Sequence, residues 1–377
     1  MKTRWIKREV FILDNTAIQN IFISRYAAGN LPCPEHQKRA VINIMQCRTD
    51  IMGGVKTVCR DCKNEFFIYK SCGNRNCSRC QAVKQIRWVE SRSSEVVDTT
   101  YYHAVFTVPA ELNEYLFHNQ KEGYNLLFKC VSDTLNDMAA DKKRLNAKIG
   151  FICILHTWGS NLCFHPHIHV ILMGCGLNQF GKLAVPKGSF LFPVKAMSKL
   201  FRGKFLAALK NFKVSADYNS LYQKDWVVYL KDSMTGPDHV LKYLGRYTHR
   251  VAISNQRIIS YDDTSVTFRY KDYHDGNRIK QMTLTTEEFT RRYLLHVLPK
   301  GFRKIRFYGL LANRSKSEKI RLLRHLLKCP VRSDRFKGIS TAELLKIQFG
   351  DRYCSCPNCG SSNLIRIKVP PKRIPAS

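Results

Sequence analysis

The stretch Phe-His-Pro-His-Ile-His-Val-Ile-Leu, residues 164 to 172, sets His165, His167 and His169 at alternate positions. On a strand, alternate side chains share a face, so the three imidazoles can converge on one divalent metal ion. In a strongly basic chain, a metal held on a sheet face suggests chemistry on a phosphate. A second constellation lies downstream, in Pro-Asp-His-Val-Leu-Lys-Tyr-Leu-Gly-Arg-Tyr-Thr-His-Arg from Pro237 to Arg250. Tyr243 and Tyr247 are four residues apart, one helical turn from each other and beside apolar Val240 and Leu244. They therefore face the protein rather than bulk water, as core aromatics or as reactive phenols. Arg246, His249 and Arg250 place cations nearby for a phosphate.

The cysteines form the third constellation. Seven of the 15 fall between Cys33 and Cys80, and three more between Cys354 and Cys359. Cys59 and Cys62 are separated by fourteen residues from Cys77 and Cys80. Two such knuckles suit a tetrahedral four-thiolate zinc ion, which supplies folding energy that a loop-rich segment lacks. Four thiolates leave no open position, so this zinc is structural. Arg75 and Arg79, with Arg60, Lys63 and Lys70, surround it as phosphate grips or as solvated charges. Cys47 and Cys72 are left over, and could join Cys33 or His36 in another site. Cys354, Cys356 and Cys359 form a further knuckle and a candidate second zinc site, with Cys329 as candidate fourth ligand.

The chain has 377 residues and a formal net charge of +33. Solubility asks for a net charge of roughly 2 to 8 on a small domain, so this excess implies a polyanionic partner, nucleic acid before a membrane surface. The length predicts two or three domains with a real core. No apolar run of about 18 residues is present, so no transmembrane helix is expected. The first residues lack the apolar region of a signal peptide. The thiols are therefore expected in a reducing cytoplasm, as metal ligands or free groups rather than disulfides.

These residues need elements to position them. Apolar periodicity predicts strands over 101–108, 149–158, 165–173 and 226–230, and a hairpin over 257–261 and 265–270. Helices are expected within a basic arm at 1–30, over 34–46, 82–97, 110–146, 194–212, 286–297 and 316–328, and from Pro237 onward. Residues 59 to 80 read as loop-rich, and the tail from Lys368 as disordered. Strands and helices mix without regular βα alternation, which favours α+β with an antiparallel sheet.

The combination resembles a known family. A His-hydrophobe-His strand followed by a Tyr-x-x-x-Tyr helix is similar to the signature of HUH endonucleases. The words Tyr102-His103-Ala104-Val105-Phe106-Thr107-Val108-Pro109, His156-Thr157-Trp158-Gly159, His165-Pro166-His167-Ile168-His169 and Tyr243-Leu244-Gly245-Arg246-Tyr247-Thr248-His249-Arg250-Val251, after a four-cysteine module, narrow it. They resemble the two-tyrosine rolling-circle insertion-sequence transposases over residues 30 to 310. The resemblance implies an antiparallel-sheet HUH domain at 99–312. It is flanked by a zinc-binding, DNA-binding module at 1–98 and a C-terminal segment at 313–377 with a candidate zinc ribbon. It implies Mg²⁺ or Mn²⁺ at His167 and His169. The third ligand stays open between His165, which is favoured, and His156 or His103 on neighbouring strands. Tyr243 and Tyr247 would be nucleophiles forming a 5′-phosphotyrosine with single-stranded DNA, at element ends and target. The metal or Lys242 would favour the phenolate. Arg246, Arg250, Arg75 and Arg79 would bind DNA, in a bacterial cytoplasm beside the nucleoid. A rolling-circle replication initiator shares this chemistry, and a non-catalytic zinc-dependent DNA-binding protein shares only the cysteines. Oligomeric state and the order of the tyrosines stay open.

Overall fold

The computed structural model describes residues 16–372 other than 30, 32, 187, 189, 190, 236, 274, 352 and 353, and side chains other than those of 232–238, 242 and 246. In chain order the elements are α1 (Ala17–Ala27), α2 (Glu35–Met45), β1 (Gly54–Cys59), β2 (Glu65–Tyr69), α3 (Gln81–Ser93), β3 (Thr100–Thr107), α4 (Asn113–His118), α5 (Gln120–Ala140), β4 (Lys148–Trp158) and β5 (Phe164–Leu177). There follow β6 (Leu183–Ala184), α6 (Val194–Asn211), α7 (Tyr218–Gln223), β7 (Val228–Thr235), α8 (Pro237–Thr248), β8 (Ile258–Tyr261), β9 (Ser265–Asp272) and β10 (Arg278–Thr285). The last are α9 (Thr286–Leu295), β11 (Ile305–Gly309), α10 (Lys316–Leu327), α11 (Thr341–Phe349) and β12 (Leu364–Val369). The α+β class with antiparallel sheets is the one the sequence pattern predicts.

The chain gathers into two compact units, each discontinuous: 1–91 with 249–297 and 334–377, and 92–248 with 298–333. Three consecutive modules with boundaries at 98 and 312 do not describe this interleaving. In the second unit the strands lie in the order β11-β4-β5-β3-β7, with β6 beside β5, and every pairing is antiparallel. The histidine strand β5 is thus internal, which explains its long, nearly continuous buried run from Ile168 to Leu177. One face of the sheet carries Ala104, Phe106, Cys153, Leu155, Ile168, Val170 and Leu172 into an apolar core. That core is closed by Phe128 and Leu135 of α5 and by Phe201 and Phe205 of α6. Phe201 sits edge-on to Phe106 at 5.2 Å and to Trp226 at 5.4 Å between ring centroids. The opposite face is left for the histidines.

The first unit holds two three-stranded antiparallel sheets, β12-β1-β2 and β10-β9-β8. Its helices pack around a ring pair, Phe22 of α1 against Tyr293 of α9, with centroids 5.1 Å apart. Side chains cap its helices where the sequence offers them. Thr285 accepts from the Glu288 N–H to start α9, and Ser340 with Glu343 forms a reciprocal capping box on α11. Residues 59–80, expected to be loop-rich, contain all of β2 and the turn that joins it to β1. Of the expected disordered tail, Lys368 and Val369 belong to β12, and 373–377 lie outside the described residues. No helix among the described residues is long and apolar enough to cross a membrane.

Candidate active site and zinc centres

The register of the central sheet decides which histidines meet. His169 of β5 pairs with Val105 of β3 and Ile154 of β4, and His167 pairs with Thr107 and His156. Directly opposed residues share a face, so His156 is delivered beside His167 and His169. One ring nitrogen from each of the three lies within 4.8 Å of the others. The His167 and His169 Nε2 atoms are 3.1 Å apart. His167 Nδ1 lies 2.7 Å from its own strand's His165 carbonyl and donates to it, which leaves Nε2 with a lone pair.

His165 does not join this group, although alternation favours it. The β4–β5 register shifts between His156/His167 and Trp158/Phe164, so two β5 residues, His165 and Pro166, stand opposite Thr157 alone. That is a bulge, and Pro166, with no N–H to give the ladder, suits it. The bulge breaks the alternation and leaves His165 exposed, its ring 5.1 Å from that of His167.

His103 of β3 takes a different place. Its Nε2 is 3.0 Å from His169 Nδ1, on the side of that ring facing away from His167. Burial, reinforced by Lys231 and His167, pushes the His103 imidazole down to about 3. It is therefore neutral near pH 7 and able to accept a hydrogen bond.

Helix α8 follows β7 with Pro237 at its first position, where a missing N–H costs nothing. Val240, Leu241 and Leu244 are buried, which turns the tyrosine face toward the sheet. Tyr243 and Tyr247 stack on each other at 4.5 Å between ring centroids. Tyr243 lies 4.5 Å from the His103 ring and Tyr247 4.4 Å from the His169 ring. The Tyr247 carbonyl accepts from His156 Nε2 at 2.8 Å, which fastens the helix to the cluster. Two phenols and four imidazoles thus share one small region. The side chains of Arg246 and Lys242 lie outside those described.

Eight of the cysteines form two groups of four. Cys47, Cys72, Cys77 and Cys80 form one, and Cys59, Cys62, Cys356 and Cys359 the other. The pairing of Cys59 and Cys62 with Cys77 and Cys80, expected from their spacing, does not form. The β1–β2 hairpin carries Cys59 and Cys62 away, and Cys47, at the end of α2, fills the place beside Cys80 with sulfurs 3.3 Å apart. Cys354 stands outside both groups, with its Sγ 4.0 Å from the Ala342 carbonyl. Cys329, the expected fourth ligand, instead accepts from the Asp98 N–H at 3.2 Å.

Residues 150–319 match the family described as "Putative transposase", and residues 18–108 match the family described as "Transposase zinc-binding domain". The chain is 37% identical to "Putative transposase y4qJ" of Sinorhizobium fredii, over 91% of this chain and 92% of that protein. The chain belongs to the IS91 transposase family. It is also 27% identical to "Transposase for insertion sequence element IS801" of Pseudomonas savastanoi pv. phaseolicola, over 73% of this chain and 70% of that protein. No solved structure matches it.

The zinc-binding domain match and the clustered cysteines support structural zinc in this transposase. Arg79 serves that region from within: its guanidinium donates to the Gln19 side chain and, at 3.1 Å, to the Cys47 carbonyl. These bonds hold a cysteine-bearing turn in place. Arg75 is half-buried, and desolvation lowers its pKa, while Arg250 is exposed. The sequence offers His156 and His103 only as alternatives, and assigns Cys47 and Cys72 to a site with Cys33 or His36, whereas they group with Cys77 and Cys80. The signal that fixes all four is strand pairing and chain path, which residue spacing does not contain.

Proposed function

We propose that this transposase cleaves and rejoins single-stranded DNA through a 5′-phosphotyrosine, with His156, His167 and His169 holding a divalent metal ion and Tyr243 and Tyr247 as nucleophiles. The observation that carries the proposal is the close approach of both tyrosine rings to the histidine cluster. Core aromatics would pack among aliphatic residues, whereas these lie over polar rings on the sheet face opposite the apolar core. Three imidazoles fit a divalent ion, and the all-nitrogen donor set suits Mn²⁺ better than Mg²⁺, which prefers oxygen. When bound, such an ion supplies Lewis-acid polarisation of the scissile phosphate.

The protein's own residues do the rest. Strands β4 and β5 carry the three rings on one rigid surface. A tyrosine oxygen bonds to phosphorus as the bond from phosphorus to the 3′-oxygen breaks. The phenol proton ends on the released 3′-hydroxyl, and no phosphodiester is lost to water. Two tyrosines allow one to hold a cleaved end while the other acts, which fits rolling-circle transposition of an insertion sequence. The DNA partner is the single-stranded end of the element and its target, reached through the chain's large positive charge.

The test is covalent capture. Protein incubated with Mn²⁺ and labelled single-stranded DNA spanning an element end should yield a band that survives denaturation. Failure of the wild-type protein to form it, on oligonucleotides tiling both ends, would refute the reading.

A further inference from the structure

Half of the second cysteine group lies outside the region matched as a zinc-binding domain, since Cys356 and Cys359 stand about 250 residues beyond the end of residues 18–108. We propose that Cys59, Cys62, Cys356 and Cys359 hold a second zinc ion in a split zinc ribbon, whose two halves are separated in sequence by the entire sheet that carries the histidines. The two knuckles are built alike. The Cys59 carbonyl accepts from the Lys63 N–H at 3.0 Å, and the Cys356 carbonyl from the Gly360 N–H at 2.9 Å. The Cys59 N–H donates to Asn64, and the Cys356 N–H to Ser361, five residues on in each case. Lys63 and Gly360 occupy the same turn position with φ of +61° and +74°. A lysine takes that left-handed conformation at a cost, which local structure must repay.

The sulfur separations fit a tetrahedral site. Cys59 and Cys359 sulfurs are 3.6 Å apart, as are those of Cys62 and Cys356. Zinc–sulfur bonds of about 2.3 Å in a tetrahedron give edges of about 3.8 Å. The flanking chain is shaped for the same union. β12 pairs with β1 from Gly54↔Val369 to Cys59↔Leu364. A Cβ on Gly53, which has φ of +63°, would fall 2.6 Å from the Pro371 nitrogen, so glycine there admits the incoming segment. Asp61 accepts from the side chains of Ser361 and Asn363, and Arg60 N–H donates to the Asn363 carbonyl at 3.0 Å. The N-terminal module is therefore complete only once residues 354–369 have joined it.

Elemental analysis of the full chain should give two zinc ions per molecule. Cys356→Ser and Cys59→Ser should each leave one, and the double variant should also leave one, because both residues serve the same ion. Cys354→Ser should keep two. One zinc in the wild-type chain, two in Cys356→Ser, or fewer in the double than in either single variant would overturn the assignment. A second measurement avoids any folding defect of the variants. A protease site inserted at exposed Gly338 is cut in the folded protein, and loss of the fragment after residue 338 is timed by gel filtration. Loss should be at least tenfold faster with a zinc chelator than with zinc, and equal rates would overturn the clasp.

Discussion

His103 offers the sharpest test of how the histidine cluster is tuned. With His169 Nε2 facing His167 at 3.1 Å, a metal-binding His169 must carry its proton on Nδ1. That proton points at His103 Nε2, 3.0 Å away. A ligating histidine fixed in this way has the correct tautomer and a raised basicity, and loss of such a partner typically lowers metal affinity about 10- to 100-fold. His103→Phe keeps a ring of similar size at a position only 6% exposed and removes the acceptor. The buried His169 N–H then loses this acceptor, at a cost of about 1–3 kcal/mol, which agrees with that fold range at about 1.4 kcal/mol per tenfold. The assay is Mn²⁺ titration by calorimetry, with adduct yield followed against Mn²⁺ concentration. Adduct formation by His103→Phe should require about 10- to 100-fold more Mn²⁺ and recover at saturation. His103→Gln, which retains an acceptor, should lie closer to wild type. Unchanged Mn²⁺ affinity in His103→Phe would refute the role, as would lost activity that no metal concentration restores.

Other outcomes follow from the same structure. Phe201→Ala removes a fully buried ring packed on Phe106 and Trp226, and should cost about 3–5 kcal/mol in urea unfolding, with a smaller loss pointing to a core that collapses around the gap. The Arg291 and Arg292 guanidiniums hold the Glu288 carboxyl down at about 2, so its contribution exists above the unfolded value near 4.3 and disappears as pH falls toward 2. Glu288→Gln should therefore cost about 1 kcal/mol at pH 7 after solvent screening, and the gap to wild type should close between about pH 4 and pH 2. Cys47→Ser should remove one zinc by elemental analysis, and a full complement of zinc would contradict the first four-cysteine group. Exchange of Mn²⁺ for Mg²⁺ should lower adduct yield at equal concentration, and higher yield with Mg²⁺ would argue for oxygen ligands in place of the third imidazole.

Much of the fold is legible in the chain. Apolar runs mark β3, β4 and β5 within a few residues of their ends, and the proline of α8 marks its start. Elements that bury little of their own surface escape such reading. β12 is mostly exposed and rich in cations, and becomes a strand because β1 offers it an edge. β11 is five half-buried residues whose strand character comes from pairing with β4. The site divides in the same way. His167, His169, Tyr243 and Tyr247 follow from local period, two on a strand and four on a helix. His156 requires the β4–β5 register, and the displacement of His165 requires the bulge at Pro166. Spacing pairs Cys59 and Cys62 with the nearest knuckle, whereas the chain path pairs them with one almost 300 residues away.

The central claim is that a tyrosine of α8 becomes joined to DNA. Its most direct measurement is peptide mapping of the adduct formed with Mn²⁺ and single-stranded DNA. After nuclease and protease digestion, mass spectrometry should find a nucleotide 5′-phosphate on Tyr243 or Tyr247. The double variant Tyr243→Phe/Tyr247→Phe should give no adduct while retaining DNA binding. A linkage at any other residue, or an undiminished adduct in the double variant, would contradict the account.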